Sequence, residues 1–561
     1  FVIHRYITLF AEAIVKRYGD ISNQKAMLFP SSRAAQRCVE FLLSKDKTKF
    51  RADFKILNLG LDSYYNSQET LRWISPSISA VLLDVAIFAL AKEYWQNTGD
   101  GISSRHAEFC HHLFQEGILI ENSCFKPCPE KYQKVCKGLK RYQKEGNGNR
   151  AANAFMTRLS KGLKLDTPSK YDSEDHEISQ FLEERFGRNL DISHVELAKS
   201  AIRRRIAGSL DTEDKFVTNK PQTIQDSRPG ARIGEKDVYL WSCGMNSIFQ
   251  THQMLMEARG AMKSICFGFP YIDTLKILQK FGPGCIFYGE GSSEDLDDLE
   301  KRLIAGEKYL ALFCEFPSNP LLKSPELLRI RGLAKRYDFV VVIDETIGNY
   351  INVNVLPYAD VLVSSLTKIF SGDCNVMGGS SILNPNSRYY SSLKRVVERD
   401  FEDNYWAEDA IFMERNSRDF IKRIERINEN TEAICSILQV HPCVQHVYYP
   451  KCNSTRANYD ACRTLNGRYG GLLSILFKKP QQAITFHDKL DLHKGPSLGT
   501  NFTLVSPYVI LAYYSELEWA AQLGVPKDLI RISVGLEDQK DLISKFGVAL
   551  NAVVEQEMKT L

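Results

Sequence analysis

Apolar residues recur at helical spacing in FVIHRYITLFAEAIVKRY, at the start of the chain, which predicts an amphipathic helix. KAMLF predicts a short strand, SSRAAQRCVEFLLSK a helix opened by a serine cap, and ISAVLLDVAIFALAKEYW a long apolar helix. Two polar stretches follow, KEGNGNR to PSKYDSEDHE within 138–180 and DTEDKFVTNKPQTIQDSRPGARIGEKD over 211–237. Both predict surface loops or linkers, and between them VELAKSAIRRRIAG predicts a helix.

From Asp237 to about 385 the period changes, and short β-rich runs alternate with helical ones. VYLWS is followed by a helix from Gly244, SICFGF by another, YLALFCEF by a helix from Ser324, and then come FVVVID and DVLVSS. Such alternation predicts a mostly parallel sheet with crossover helices on both faces. Residues 386–440 read as helical and charged; VQHVYYP, GGLLSILF, DLIRISVG and a closing helix predict a smaller α+β domain. The expected organisation is an α/β-like N-terminal extension (1–140), a linker with an N-terminal arm (141–236), a large α/β domain (237–420) and a small C-terminal domain (421–561). No internal repeat is visible.

Composition narrows the class. The chain has 561 residues, 44% hydrophobic and 25% charged, an ordinary globular balance that excludes collagen-like, mucin-like or wholly disordered chains. Seventy-two basic against 68 acidic residues give a net charge of +4, a small and unclustered excess that argues against nucleic acid as a partner. No apolar run approaches the ~20 residues needed to span a bilayer, so no membrane partner is expected. The 14 cysteines form no dense framework and are expected to be reduced thiols of a cytoplasmic protein. The sequence begins at Phe1 rather than methionine, and no targeting segment is assigned.

Two residues carry the first chemical signal. Asp344 ends the run FVVVI, and Lys368 follows DVLVSSLT. Both are expected just past the carboxyl ends of parallel strands, where open α/β sheets place their ligands. A desolvated lysine there is a nucleophilic amine, and an acid there can hold a protonated ring nitrogen; pyridoxal phosphate needs that pair. In WSCGMNSIFQTHQML a strand runs into Gly244 and a helix begins, offering backbone N–H groups to an anion, to which Ser365 and Thr367 add hydroxyls. Cys110, His111, His112, Cys124, Cys128 and Cys136 have zinc-ligand chemistry but fit no common finger spacing, and no metal is assigned.

SSLTKIFSG resembles the lysine motif of the Cys/Met-metabolism pyridoxal-phosphate enzymes, and EFPSNP, VVVIDET and RISVGLED follow in that family's order over roughly 180–561. The N-terminal extension, CFGFPYIDTLK, FYGEGSSEDLDDL and GPSLGTNFTL extend the likeness, over nearly the whole chain, to the fungal-type cystathionine γ-synthases of that family. The resemblance implies the type I fold of PLP-dependent transferases (aspartate-aminotransferase-like). It implies Lys368 as the Schiff-base lysine and proton carrier, Asp344 at the pyridine nitrogen, and Gly244, Met245, Ser365 and Thr367 around the phosphate. Tyr271 would stack on the ring and assist as an acid, and Asn319 would lie near the phenolic oxygen. Arg531 would bind the substrate α-carboxylate, with Ser497 beside it.

Arg188, in RFGRNL, would complete the phosphate site of a neighbouring subunit, which implies a homodimer or homotetramer with shared sites. Two departures stand out: Phe186 where the family often has tyrosine, and Glu345 where asparagine usually follows the ring-binding aspartate. The implied reaction is γ-replacement on an O-acylhomoserine by cysteine, giving cystathionine in transsulfuration and methionine biosynthesis. Sulfide addition by an O-acylhomoserine sulfhydrylase, cystathionine lysis, a carbon nucleophile and a non-catalytic scaffold are the alternatives.

Overall fold

A computed structural model of the chain describes residues 2–45, 54–62, 74, 76–121, 194–210 and 232–560. Two compact units emerge: the smaller is Phe1–Tyr94, Gly101–Glu196 and Trp406–Ile411, the larger Trp95–Asp100, Leu197–Tyr405 and Phe412–Leu561. Among the described residues no helix is long and apolar enough to cross a membrane.

The smaller unit is built on a four-stranded sheet of β1 (Gln24–Phe29), β2 (Lys55–Leu61), β3 (Ile78–Asp84) and β4 (Leu119–Glu121), ordered β1-β3-β2-β4 and antiparallel throughout. Helices Arg5–Tyr18 and Ser32–Lys45 form as expected, the second with Ser31 Oγ accepting from Ala34 N. The single apolar helix expected from ISAVLLDVAIFALAKEYW is a correction. Its first half is β3, buried from Ile78 to Leu83, and only Phe88–Thr98 is an α-helix. A strand covered on both faces shows no alternation and reads like a buried helix. Asp84 marks the change, its side chain accepting from Ala86 N.

The larger unit holds two sheets. The first has seven strands: β5 (Val238–Trp241), β6 (Ser264–Phe267), β7 (Cys285–Tyr288), β8 (Ala311–Glu315), β9 (Val340–Asp344), β10 (Val361–Ser365) and β11 (Gly379–Leu383), ordered β5-β11-β10-β9-β8-β6-β7. Strands β7, β6, β8, β9 and β10 run parallel; β11 alone opposes its neighbours β10 and β5. The mostly parallel α/β fold is thus present. Val340, Val342, Val361 and Val363 project into an apolar core with Phe249, Leu255, Leu278 and Leu393. A five-stranded sheet follows, from β12 (Val444–Tyr448), β13 (Leu472–Phe477), β14 (His493–Lys494), β15 (Leu504–Ser506) and β16 (Ile530–Ser533), ordered β12-β13-β16-β15-β14. Two boundaries shift: the helix expected from Ser324 starts at Leu327, after Pro325, and the strand of YLALFCEF starts at Ala311.

Candidate active site

The parallel strands deliver their carboxyl ends side by side. Glu315, Asp344 and Ser365 are the last residues of β8, β9 and β10, and Glu315 pairs in register with Asp344. Lys368 lies three residues beyond β10. Side chains at matched positions of parallel neighbours share a face, so two half-buried carboxyl groups lie side by side. Burial and then the nearby Asp344 push Glu315 up to about 8, against two backbone N–H groups, from Tyr271 and Asn319, that its oxygens accept. Burial also raises Asp344, opposed by the Thr346 N–H at 2.9 Å from Oδ1. Both carboxyl groups of the pair are thus raised by burial, and each is opposed by backbone N–H groups that its oxygens accept.

Lys368 donates from Nζ to Ser497 Oγ at 3.4 Å. Burial, with the positive charge of Arg531 second, pulls its amine down to about 8, and Cys374 opposes the shift. Arg423 fixes the turn after the lysine: buried, it donates to Ile369 O (2.9 Å), Phe370 O (2.8 Å) and Asn501 Oδ1 (3.0 Å). Gly499, at φ +69°, lies so close that a Cβ would meet Ile369 N at 2.5 Å. Only glycine tolerates both that conformation and that approach.

Arg531, on β16, is 2% exposed. It donates to Asn319 Oδ1 (3.1 Å), Ser497 O (2.8 Å) and Pro496 O, and its guanidinium lies 3.7 Å from the centre of the Tyr508 ring. The Tyr508 hydroxyl accepts from Asn319 Nδ2 at 2.8 Å. Among the described residues no carboxylate pairs with Arg531. A buried cation with neutral acceptors is costly unless an anion completes it. Planar and forked, it suits a carboxylate.

The opposite end is anion-binding in character. Helix Gly244–Arg259 starts directly after β5, and its N-cap, Cys243, offers no side-chain cap. A Cβ on Gly244 would meet Ser365 Cβ at 2.5 Å, so the uncapped helix start lies against the end of β10. Thr367 Oγ1 accepts from Gly378 N (3.1 Å) and donates to its carbonyl (3.2 Å). Tyr271 is the N-cap of helix Ile272–Lys280; burial and the Asp273 carboxylate hold its phenol well above the usual range.

These residues fit pyridoxal phosphate. A low-pKa amine would suit its aldehyde, a carboxylate its ring nitrogen, a phenol its ring, and an uncapped helix start with neighbouring hydroxyls its phosphate. Lys368, Asp344, Tyr271, Gly244, Met245, Ser365, Thr367, Asn319, Ser497 and Arg531 all lie in the larger unit. Arg188 and Phe186 lie outside the described residues, as do Cys124, Cys128 and Cys136. Cys110 is buried in the core of the smaller unit, and His111 stacks on Phe10; no group of three or more metal-ligating side chains occurs among the described residues. Glu345 is fully buried, accepts from Tyr350 N at 3.0 Å, and is held well above the carboxylate range by burial.

Glu315, Arg423 and Tyr508 were not singled out from sequence. For Glu315 a signal existed, since it ends an apolar run just as Asp344 does. Arg423 is hidden in a charged helical stretch, and nothing local marks Tyr508.

Residues 231–551, more than half of the chain, match the family described as Cys/Met metabolism PLP-dependent enzyme, and residues 6–103 match the fungal trans-sulfuration enzyme N-terminal domain. The chain is 52% identical over 575 aligned positions to a cystathionine gamma-synthase of Neurospora crassa, covering 99% of this chain and 92% of that one. It is 39% identical to the cystathionine gamma-synthase-like enzyme iboG2 of Amanita muscaria, covering 99% and 91%. A crystal structure of cystathionine gamma synthase from Xanthomonas oryzae shares the fold at TM-score 0.51 and 20% identity, over 64% of this chain and 98% of that one. The chain therefore belongs to the Cys/Met metabolism PLP-dependent enzymes, with the type I fold of that family and pyridoxal phosphate as its cofactor.

Proposed function

We propose that the protein is a γ-replacing transferase that joins an O-acylhomoserine to cysteine and forms cystathionine. The observation that carries this reading is the buried Arg531, which no carboxylate among the described residues pairs with, beside Lys368: a receptor for an amino acid's α-carboxylate next to an amine of lowered pKa. The 52% identity with the Neurospora crassa cystathionine gamma-synthase supports it.

When bound, pyridoxal phosphate supplies an aldehyde for the substrate amine and an electron sink for the carbanions that follow. Gly244, Met245, Ser365 and Thr367 would hold its phosphate, Asp344 its ring nitrogen, and Tyr271 its ring face, with Asn319 near the phenolic oxygen. Arg531 grips the α-carboxylate and so presents Cα to Lys368. With its pKa near 8, about a tenth of the amine is free at pH 7, against ~0.03% for an ordinary lysine. Lys368, as the free amine, would take the Cα proton. Loss of a Cβ proton then lets the Cγ–O bond break, and the acyloxy group leaves as a carboxylate. The thiol of cysteine gives up its proton as its sulfur bonds to Cγ, and Lys368 would return one proton to Cβ and one to Cα, so that the net products are cystathionine and the carboxylic acid.

The test is to supply O-acetyl-, O-succinyl- or O-phosphohomoserine with cysteine, or with sulfide, and to analyse the products by mass spectrometry, with Lys368→Ala as control. Cystathionine from one ester, absent in the control, is expected. Homocysteine from sulfide without cystathionine from cysteine would replace the synthase with a sulfhydrylase.

A further inference from the structure

The segment Trp95–Asp100 lies inside the stretch that matches the fungal N-terminal domain, yet it belongs to the larger, cofactor-bearing unit. Its side chains and backbone meet the helix start at the end of the site assigned above to phosphate. Asp100 Oδ1 accepts from Asn246 Nδ2 (3.1 Å) and Gln250 Nε2 (3.0 Å), which lie one turn apart on helix Gly244–Arg259. Asn246 Nδ2 also donates to Thr98 O at 3.1 Å, and Ser242 Oγ to Gly99 O at 3.0 Å. Gly99, at φ +64°, is packed so tightly that a Cβ would lie 2.5 Å from Cys243 Sγ and 3.1 Å from Asn246 N. Asn97 donates to Asp273 Oδ1 (3.1 Å) and accepts from Lys280 Nζ (3.2 Å), which fixes the first turn of the helix that Tyr271 caps.

These contacts converge on the two helix starts that face the cofactor. Asn246 is the third residue of its helix, and asparagine at a helix start readily folds back onto free backbone N–H groups. Here its amide N–H groups are drawn outward by Thr98 O and Asp100, and the helix start lacks a side-chain cap.

We propose that residues 97–100 are a positioning element for the phosphate end of the cofactor site, with Asp100 holding Asn246 and Gln250 so that the helix start stays open and fixed. The inference rests on the site reading above. Asp100 is not a catalytic residue; it acts through helix Gly244–Arg259.

The test uses the full chain, stripped of cofactor, and compares binding of pyridoxal phosphate and of pyridoxal, which lacks the phosphate, by equilibrium dialysis. Asp100→Ala is expected to weaken pyridoxal phosphate about tenfold and to leave pyridoxal within twofold. Asp100→Asn keeps an oxygen that accepts both amides and is expected to bind like the wild type. Gly99→Ala is expected to reproduce Asp100→Ala. Unchanged phosphate-ester binding by Asp100→Ala overturns the proposal. So does parallel loss of both ligands with a fall in melting temperature, which would reduce the segment to a packing contact. Failure of the site reading itself shows separately, as wild-type protein that binds pyridoxal phosphate no better than Lys368→Ala.

Discussion

The four-stranded and seven-stranded sheets use similar apolar strands to opposite ends. In the antiparallel sheet β1-β3-β2-β4 neighbouring strands point in opposite directions, so no edge collects their carboxyl ends. Its buried groups are inert: burial pulls His106 in the same unit down to about 4, so it is neutral at physiological pH, and lifts the Cys110 thiol far above its usual range. In the seven-stranded sheet β8, β9 and β10 end together, and Glu315, Asp344 and Lys368 converge there. Strand direction, more than strand composition, decides where chemistry can be assembled.

The comparison predicts effects of graded size. Replacing Lys368 with alanine should cut cystathionine formation on the order of 10⁴-fold with an unaltered circular dichroism spectrum; a variant still turning over at a tenth of the wild-type rate would remove the lysine from the chemistry. Arg531→Lys should lower kcat/KM by about 30- to 1,000-fold, or 2–4 kcal/mol, mostly in the response to the amino-acid substrate rather than to cofactor. An equal loss of cofactor affinity would make Arg531 a scaffold residue. In the other sheet, Leu82→Ala on β3, a position 1% exposed, should cost about 2–4 kcal/mol of stability in denaturant titration while kcat per folded molecule stays unchanged.

The smallest effect is in pH. Because Lys368 is lowered to about 8, its neutral amine increases as pH rises through 8 rather than 10.5. Cofactor uptake by stripped protein should therefore speed up about tenfold between pH 7 and 9 and then level off. Arg531→Gln removes one of the lowering causes and should move that midpoint upward. A rate still climbing at pH 10 would mean that burial does not depress the amine.

Much of this was legible in the chain. FVVVID and DVLVSS carry their strands, and with them the placement of Asp344 and Lys368, because a buried parallel strand is a continuous apolar run closed by polar residues. That same signature misled at Ile78–Asp84, where the run continued into a real helix. Glu315 was visible as a type but not as Asp344's neighbour, since register between β8 and β9 is a long-range property. Asp100 was invisible for the same reason: its partners, Asn246 and Gln250, are nearly 150 positions away.

Strand order also sets a timetable. β5, which leads into helix Gly244–Arg259, joins its sheet only through β11, and β11 is the last of the seven strands in the chain. On a ribosome moving at about 5–20 residues per second, the helix start therefore waits on the order of ten seconds for the strand that brings it to Ser365. Arg531 emerges later still. The site is therefore completed in two stages: its cofactor end waits for β11, and its substrate end, with Arg531, waits for β16 near the end of synthesis.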